Sequence, residues 1–360
     1  MRPLHRPQRR FRSRGRFHLS GGAFKFGLMI RAQYPRDDDM VERFEEICAV
    51  ARLADQLGFD CVTKGMHYGA SPLGDYQQIP FLARIMTEAP RCRLNAGVVL
   101  LSLHKPLDIA EQFATLDVMS RGKVILGVAL GYRELEFKAF GTCERDRVRR
   151  LEENLVAIKR LWTEDRVSMK ASHFELDDVS LGMRPVQKPH PPIWMGANAD
   201  PAIRRAARLA DCWYIPPHNR IDSVLRQLDV YRRELDACGK PFPQELPMRR
   251  EVFVADDRRE ALRLCGPALE RKYRAYVQWG QDKPMPEGDE LDMALDELLK
   301  DLFLIGSADE VAGAILDIVR PTGVNHLIIS THWPGMETAV AMESMQRFAE
   351  EVMPRVRSGL

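Results

Sequence analysis

An imidazole ring is well suited to moving protons near neutral pH, and His67 stands where such a ring could act. It follows the apolar run Phe59–Thr63, a predicted strand, within the string Lys64-Gly65-Met66-His67-Tyr68. With a pKa near working pH, the ring can transfer a proton or hydrogen-bond a reacting group. A histidine at a strand end is also often a structural hydrogen-bonding residue, so its role depends on the elements that surround it.

A second segment has the features of a phosphate-binding turn. Residues 195–201 are predicted to be a strand end, a loop of small residues and a helix with proline at its first position. Backbone N–H groups at such a helix start suit a phosphate. The carboxylate of Asp200, acting as the helix cap, would oppose one. The residues predicted to hold the phosphate are Gly196, Ala197, Asn198 and Ala199.

Alternating strands and helices must position these segments. Val98–Leu101 and Val124–Leu130 are apolar runs typical of parallel strands that are buried on both faces. Between them, apolar residues recur at helical spacing, and Gly122 ends the helix at a position suited to a left-handed cap. These spaced residues are Ile109, Phe113, Leu116 and Met119.

Eight strand–helix units can be counted, which predicts the α/β class and a (β/α)8 TIM barrel with insertions. Residues 163–191 and 273–300 interrupt the alternation. We expect both insertions to lie on strand-to-helix connections, which form the active face of a barrel, and to serve as a lid and substrate walls. The predicted strands are Phe24–Arg31, Phe59–Thr63, Val98–Leu101, Val124–Leu130, Ile193–Met195, Cys212–Ile215, Glu251–Ala255 and Leu327–Ser330.

Composition divides the chain into a basic extension, residues 1–23, and a single barrel domain, residues 24–360. The chain has 360 residues, 45% of them hydrophobic, which is enough for one large barrel. The net charge is +2, but the first 20 residues hold seven arginines and no acid, so the remainder carries −5. An acidic body is a poor nucleic-acid partner. The extension could be a transit segment, a nucleic-acid arm or, the favoured interpretation, a disordered or untranslated upstream stretch.

Several classes of protein are excluded. The seven cysteines are scattered without zinc or redox spacing, and no Cys/His/carboxylate cluster has metal spacing, so we expect no metal and a cytoplasmic enzyme. There is no 18-residue apolar run, so no membrane association is expected. A Gly-x-Gly-x-x-Gly or Walker loop is also absent, which argues against a Rossmann domain for NAD(P)H within this chain.

The segment from Leu94 to Tyr132 resembles the bacterial luciferase-like monooxygenases, a flavin-dependent barrel family. The shared features occur in order and at the family's spacing, and a thinner match extends from about Phe24 to the end. These features are an apolar strand, a loop ending at Pro106, a helix with Ala110-Glu111-Gln112 and Leu116-Asp117, the turn Ser120-Arg121-Gly122, and Gly127-x-x-x-Gly131.

The resemblance implies a two-component monooxygenase. A separate flavin reductase would supply reduced FMN, O2 would add at the flavin, and a small organic substrate would be oxidised. We expect a homodimer. A deazaflavin-dependent reductase or dehydrogenase on the same barrel is an alternative. A non-catalytic flavin-binding barrel is another, because Met66 and Tyr68 stand where the family has a glutamate and a second histidine.

The resemblance also assigns roles to residues. His67 matches the histidine that faces the flavin, and Gly97–Val98 aligns with a non-prolyl cis peptide beneath the isoalloxazine. Ala129 and Gly131, at the end of the fourth strand, would let the flavin edge approach. The flavin phosphate would bind after the fifth strand, at the loop described above. The residues expected to line the substrate pocket are His104, Tyr132, His332 and Trp333.

Overall fold

The computed structural model describes residues 23–278 and 302–360. The predicted basic extension lies outside the described residues except for residue 23, and so do residues 279–300 of the second predicted insertion. Among the helices of the described part, none is long and apolar enough to cross a membrane.

Strands and helices alternate along most of the described chain. The strands are β1 Lys25–Met29, β2 Gln33–Pro35, β3 Cys61–Lys64, β4 Leu73–Asp75, β5 Arg93–Leu100, β6 Val124–Ala129, β7 Val167–Lys170, β8 Glu175–Val179, β9 Ile193–Gly196, β10 Cys212–Tyr214, β11 Pro247–Val254, β12 Phe303–Gly306 and β13 His326–Ser330. The α-helices are α1 Met40–Gln56, α2 Gln78–Ile85, α3 Pro106–Met119, α4 Glu134–Ala139, α5 Arg147–Thr163, α6 Asp200–Leu209, α7 Ile221–Ala237, α8 Arg258–Gln278, α9 Ala308–Thr322, α10 Thr338–Arg347 and α11 Met353–Gly359.

Eight parallel strands close into a barrel in the order in which they occur along the chain. The ring runs β1, β3, β5, β6, β9, β10, β11 and β13, and β13 pairs with β1. The remaining seam, between β10 and β11, is closed at Ile215. Its N–H donates to the Pro247 carbonyl at 2.9 Å, and its carbonyl accepts from the Arg249 N–H at 3.0 Å. The predicted (β/α)8 barrel is therefore confirmed.

The ring strands are apolar along their length because both of their faces are buried. In β6, Ile125 points into the barrel, where it clusters with Trp194, while Val124 and Leu126 belong to the layer between sheet and helices. Helix α3 packs on this layer through three of the four predicted residues. The fourth, Met119, is 53% exposed, because it lies in the last helical turn.

The structure adds short strands that the sequence pattern does not predict. Strands β2 and β4 form an antiparallel pair beside the barrel opening. Strand β12 pairs with the second half of β11, from Glu251 opposite Phe303 to Val254 opposite Gly306, beyond the point where β11 closes the ring. A four-residue apolar run at an edge is too short for periodicity to identify.

The prediction that the first insertion lies on a strand-to-helix connection is wrong. Residues 163–191 follow helix α5, so they form a helix-to-strand connection, and the hairpin β7–β8 packs outside the barrel. His173 in its turn contacts Glu153 at 3.0 Å and Asn154 at 2.9 Å, both on α5. No residue of this insertion is among the described residues that line the central cavity, so it is neither a lid nor a substrate wall. The connection after β6, which contains α4, borders the cavity instead.

Candidate active site

A cavity of about 800 Å³ opens at the carboxyl ends of the ring strands. This is the end of a barrel at which active sites form. Every ring strand or the loop after it contributes to the lining. The contributions are, in ring order, Met29 to Gln33, Lys64 to His67, Gly97 with Val98 and Leu100, Ala129 to Leu135, Gly196 to Ala199, Tyr214 with Pro216 to His218, Arg249, and Ser330 with His332 to Pro334.

The cavity brings together nearly all of the residues selected from the sequence. Those that line it are His67, Gly97, Val98, Ala129, Gly131, Tyr132, Gly196, Ala197, Asn198, Ala199, His332 and Trp333.

His104 is the exception, and its predicted place in the pocket is wrong. After β5 the chain turns through the short helix Leu101–Leu103, which carries His104 away from the opening. Its Nε2 lies 3.2 Å from the hydroxyl of Tyr68, and its ring packs against Phe140. Burial lowers the pKa of His104. It is therefore a neutral packing residue behind the cavity wall.

The Gly97–Val98 peptide is cis, as the resemblance implies. The register of β5 against β6 shifts between Ala96 and Val99, so the backbone bulges here. A Cβ on Gly97 would come within 2.7 Å of Thr63 Cγ2, so packing requires glycine at this position. Gln78 supports the bulge, because its side-chain amide donates to the carbonyls of Lys64 at 2.6 Å and Val98 at 3.3 Å.

The loop after β9 is held from outside the cavity. Trp213 donates to the Ala197 carbonyl at 3.0 Å, and Gln227 donates to the Asn198 carbonyl at 2.6 Å. The cap of helix α6 is Ala199, not Asp200. The carboxylate of Asp200 instead pairs with Arg226 through two hydrogen bonds of 2.8 and 2.9 Å. Its negative charge is thereby compensated, which removes the main objection to an anion at this helix start.

His67 lies beside a buried carboxylate that comes from helix α4. Its Nδ1 is 3.4 Å from Glu136 Oε1, an ion-pair distance rather than a hydrogen bond. The side chain of His67 is 15% exposed, whereas that of Glu136 is 1% exposed. Glu136 also accepts the Tyr68 N–H at 2.9 Å and contacts Arg133 at 3.4 Å. The carboxylate therefore fixes the loop that carries the imidazole.

A buried ion pair stabilises the same loop from the other side. Lys64 Nζ lies 2.7 Å from Asp75 Oδ1, and both side chains are 2% exposed. Asp75 Oδ2 accepts the main-chain N–H of His67 at 3.0 Å and the side-chain amide of Gln33 at 3.1 Å. Burial lowers the pKa of Lys64, and the charge of Asp75 opposes this shift. Three chain segments thus meet on one carboxylate.

A second buried carboxylate supports another part of the cavity wall. Glu251 is fully buried and lies 2.5 Å from both Lys272 Nζ and Trp333 Nε1. Burial is the largest influence on its pKa and would raise it. The positive charges of Lys272 and Arg249, with the hydrogen bonds, outweigh burial and lower the pKa of Glu251. Glu251 therefore fixes the indole of Trp333 at the cavity wall.

Two further histidines at the cavity are neutral. Burial, with a smaller contribution from the charge of Arg31, lowers the pKa of His332 to about 4, and Arg31 lies 2.9 Å from its Nε2. Burial, followed by the charge of Lys272, lowers the pKa of His218 well below its usual range. His218 Nδ1 lies 3.3 Å from the Tyr273 hydroxyl.

The chain also matches a family of known proteins. The family model described as luciferase-like monooxygenase matches residues 24–326. The chain belongs to this family. As a member it is an oxidoreductase, in agreement with the prediction from sequence.

Individual relatives agree in fold and differ in cofactor. The FMNH2-dependent dimethylsulfone monooxygenase of Pseudomonas putida is 26% identical over 328 residues, which covers 86% of each chain. The F420-dependent glucose-6-phosphate dehydrogenase of Amycolatopsis mediterranei is 23% identical over 85% of this chain and 92% of its own. A crystal structure of a monooxygenase from Streptomyces bottropensis superimposes with a TM-score of 0.80 at 28% identity. That match covers 92% of this chain and 99% of the other.

Sequence reasoning missed the charged residues that hold the candidate site. A signal for two of them exists, since Glu251 and Lys64 are charged residues within or directly after apolar strands, where a charge needs a buried partner. No pattern marks Glu136 or Asp75, because their partners are distant in sequence. The missed residues are Lys64, Asp75, Glu136, Glu251 and Lys272.

Proposed function

We propose that the protein is a flavin-dependent monooxygenase that uses reduced FMN and O2 to oxidise a small organic substrate. One observation carries the proposal. The cavity has a wall of small residues at Gly97, Ala129 and Gly131, with the candidate phosphate loop, residues 196–199, beside it and His67 at the end of a neighbouring strand. A flat ring system with a phosphate tail matches this arrangement of small residues and helix start.

The residues present fit such a group. The phosphate would lie against residues 196–199, where the charge of Asp200 is compensated by Arg226. The ring would lie on the bulge at Gly97–Val98, which no side chain at residue 97 can obstruct. Bound reduced FMN supplies two electrons to O2, so that one oxygen atom enters the substrate and the other leaves as water.

The side chains then have separable tasks. His67 would hold or donate a proton through its Nε2, while Glu136 orients the ring from the Nδ1 side. Trp333, held by Glu251, and Tyr132 would limit the entry of water. The electrons would come from a separate flavin reductase, because the sequence has no dinucleotide-binding motif and the P. putida relative is named for its dependence on FMNH2.

A deazaflavin-dependent oxidoreductase is the second candidate, favoured by the F420-dependent relative. Both cofactors carry a flat tricyclic ring and a phosphate, so the same cavity could hold either. A barrel that binds flavin without catalysis is the third candidate, because the residues flanking His67 differ from the family pattern.

Two experiments on the purified full-length chain separate these candidates. Anaerobic titrations with oxidised FMN, reduced FMN and F420 should show the tightest binding for reduced FMN. With a flavin reductase, NADH and O2, a panel of sulfones, ketones and aromatic compounds should include one that raises oxygenated product and lowers hydrogen peroxide. Tighter binding of F420 would contradict the proposal in favour of the second candidate. Binding of FMN without any oxygenated product would favour the third.

A further inference from the structure

Three hydrogen-bond donors lie side by side on one part of the cavity wall. They come from strands β10, β11 and β13, which are neighbours in the ring. They are Tyr214, Arg249 and Ser330, and all three line the cavity. None of the three is among the residues proposed to take part in the oxygenation.

The hydroxyl of Tyr214 lacks a hydrogen-bond partner among the described residues. The residue is 5% exposed and its ring packs against Trp194 in the barrel interior. A buried polar group without a partner costs free energy, so such groups are rare unless something else satisfies them. Burial raises the pKa of Tyr214, with a smaller opposing effect of the charge on Arg249, so the hydroxyl stays protonated and can donate.

Arg249 and Ser330 extend this donor group. Arg249 Nε donates to the hydroxyl oxygen of Ser330 at 3.0 Å, which leaves the serine proton available to point elsewhere. Arg249 also lies 3.5 Å from the carboxylate of Glu251, which Lys272 and Trp333 contact at 2.5 Å. Glu251 itself is not among the residues that line the cavity.

We propose that Tyr214, Arg249 and Ser330 form a subsite for an electron-rich oxygen atom. A buried phenol hydroxyl without a described partner can donate to a carboxylate, phenolate or ring-carbonyl oxygen, and so can the proton of Ser330; the neighbouring guanidinium adds the preference for negative charge. The oxygen belongs either to the organic substrate or to the pyrimidine ring of the bound flavin. The inference rests on the proposed function only where the oxygen would belong to the flavin, because only then must the protein bind this cofactor.

The test is the substitution Tyr214→Phe, with Tyr231→Phe as the matched control. Both remove one buried phenol hydroxyl, but Tyr231 lies in the layer between helix α7 and the sheet, outside the cavity. Each variant and the wild type are titrated calorimetrically with FMN, benzoate and uncharged benzamide. Thermal melting should be nearly unchanged in Tyr214→Phe, since the lost hydroxyl has no described protein partner.

We expect Tyr214→Phe to weaken the binding of one of the two ligands, FMN or benzoate, by about tenfold, which is the usual effect of one lost hydrogen bond. Weaker FMN binding assigns the subsite to the flavin. Unchanged FMN binding with weaker benzoate binding, and little effect on benzamide, assigns it to the substrate. The proposal is overturned if Tyr214→Phe lowers neither the affinity for FMN nor the affinity for benzoate. It is also overturned if Tyr231→Phe lowers the affected affinity by the same factor.

Two controls keep this test separate from folding and from the proposed function. If Tyr214→Phe loses helical circular dichroism, Ser330→Ala takes its place in the same titrations. If the wild-type chain fails to bind FMN at all, the proposed function fails, while the benzoate titration still decides on the subsite.

Discussion

Nδ1 of His67 lies 3.4 Å from the carboxylate of Glu136, two residues that are 69 positions apart and belong to the connections after different ring strands. One carboxylate therefore orients the candidate acid–base group and also binds the main chain beside it, through the N–H of Tyr68. A base oriented by a third group is the arrangement found in many proton-transfer sites.

Replacing His67 with alanine should abolish productive chemistry without unfolding the protein. We expect oxygenated product to fall by about 10²–10⁴-fold, the usual size for a lost general acid or base, while hydrogen peroxide rises. Product and peroxide are measured together in the reductase-coupled assay, normalised to folded protein. The control is His104→Ala, which removes an imidazole behind the cavity wall. Full coupling in the His67 variant would mean that this residue is structural.

Glu136→Gln should also lower the yield of oxygenated product, by a smaller factor than His67→Ala. The amide keeps an acceptor for the Tyr68 N–H but loses the charge that faces His67. Product yield should fall by roughly 10- to 100-fold, the size found for partners that orient metal-bound histidines. The control is Glu88→Gln, another ion-paired glutamate that lies outside the cavity. An unchanged ratio of product to peroxide would show that Glu136 serves stability alone.

The loop at residues 196–199 should bind the phosphate of FMN. A valine at Gly196 would crowd Val98 and Ala129, whose side chains already lie 3.6 and 3.8 Å from the Cβ position. Gly196→Val should therefore weaken the binding of FMN much more than that of riboflavin, which lacks the phosphate. Fluorescence titration with both ligands measures the difference. Gly182→Val, at a position with open space around it, should change neither affinity. Equal weakening of the two ligands would place the phosphate elsewhere.

Gly97→Ala should destabilise the barrel itself. Its methyl group would lie 2.7 Å from Thr63 Cγ2 and 2.9 Å from Asn95 Nδ2, and overpacking of this kind costs about 1–3 kcal/mol. Urea unfolding measures the cost. Gly196→Ala provides the comparison, because its methyl group would make only ordinary contacts. Equal stability of Gly97→Ala and the wild type would show that the bulge can relax.

His332 should make the folded protein less stable in mild acid. Its folded pKa of about 4 lies below the ordinary value of about 6.5. Between these values the unfolded chain binds a proton that the folded protein does not, so stability falls as pH drops through this window.

His332→Gln should flatten this dependence by about 1.4 kcal/mol per pH unit, the contribution of one proton. Denaturant unfolding at several pH values between about 4 and 7 measures both slopes. Burial also lowers the pKa values of His104 and His326, and these contributions remain in both proteins, so the difference isolates His332. Parallel curves for the variant and the wild type would contradict the prediction.

The sequence by itself determines the barrel and much of the site. Strands buried on both faces must be continuous apolar runs, and helices between them must have an apolar stripe, so β5, α3 and β6 can be predicted from local patterns. The carboxyl ends of such strands meet at one opening of the barrel. His67 and residues 196–199 are therefore predictable as neighbours of one cavity, although they are far apart in the chain.

Tertiary structure decides which polar groups pair inside that cavity. Glu136 lies beside His67, Asp75 contacts three chain segments, and Glu251 accepts a hydrogen bond from Trp333. Strand register and the course of the loops bring these residues together. None of these pairings has a sequence spacing that could identify it. His104 shows the reverse case. It follows a ring strand as His67 does, but one short helical turn carries it behind the wall, since the direction of a loop depends on packing and not on the strand that precedes it.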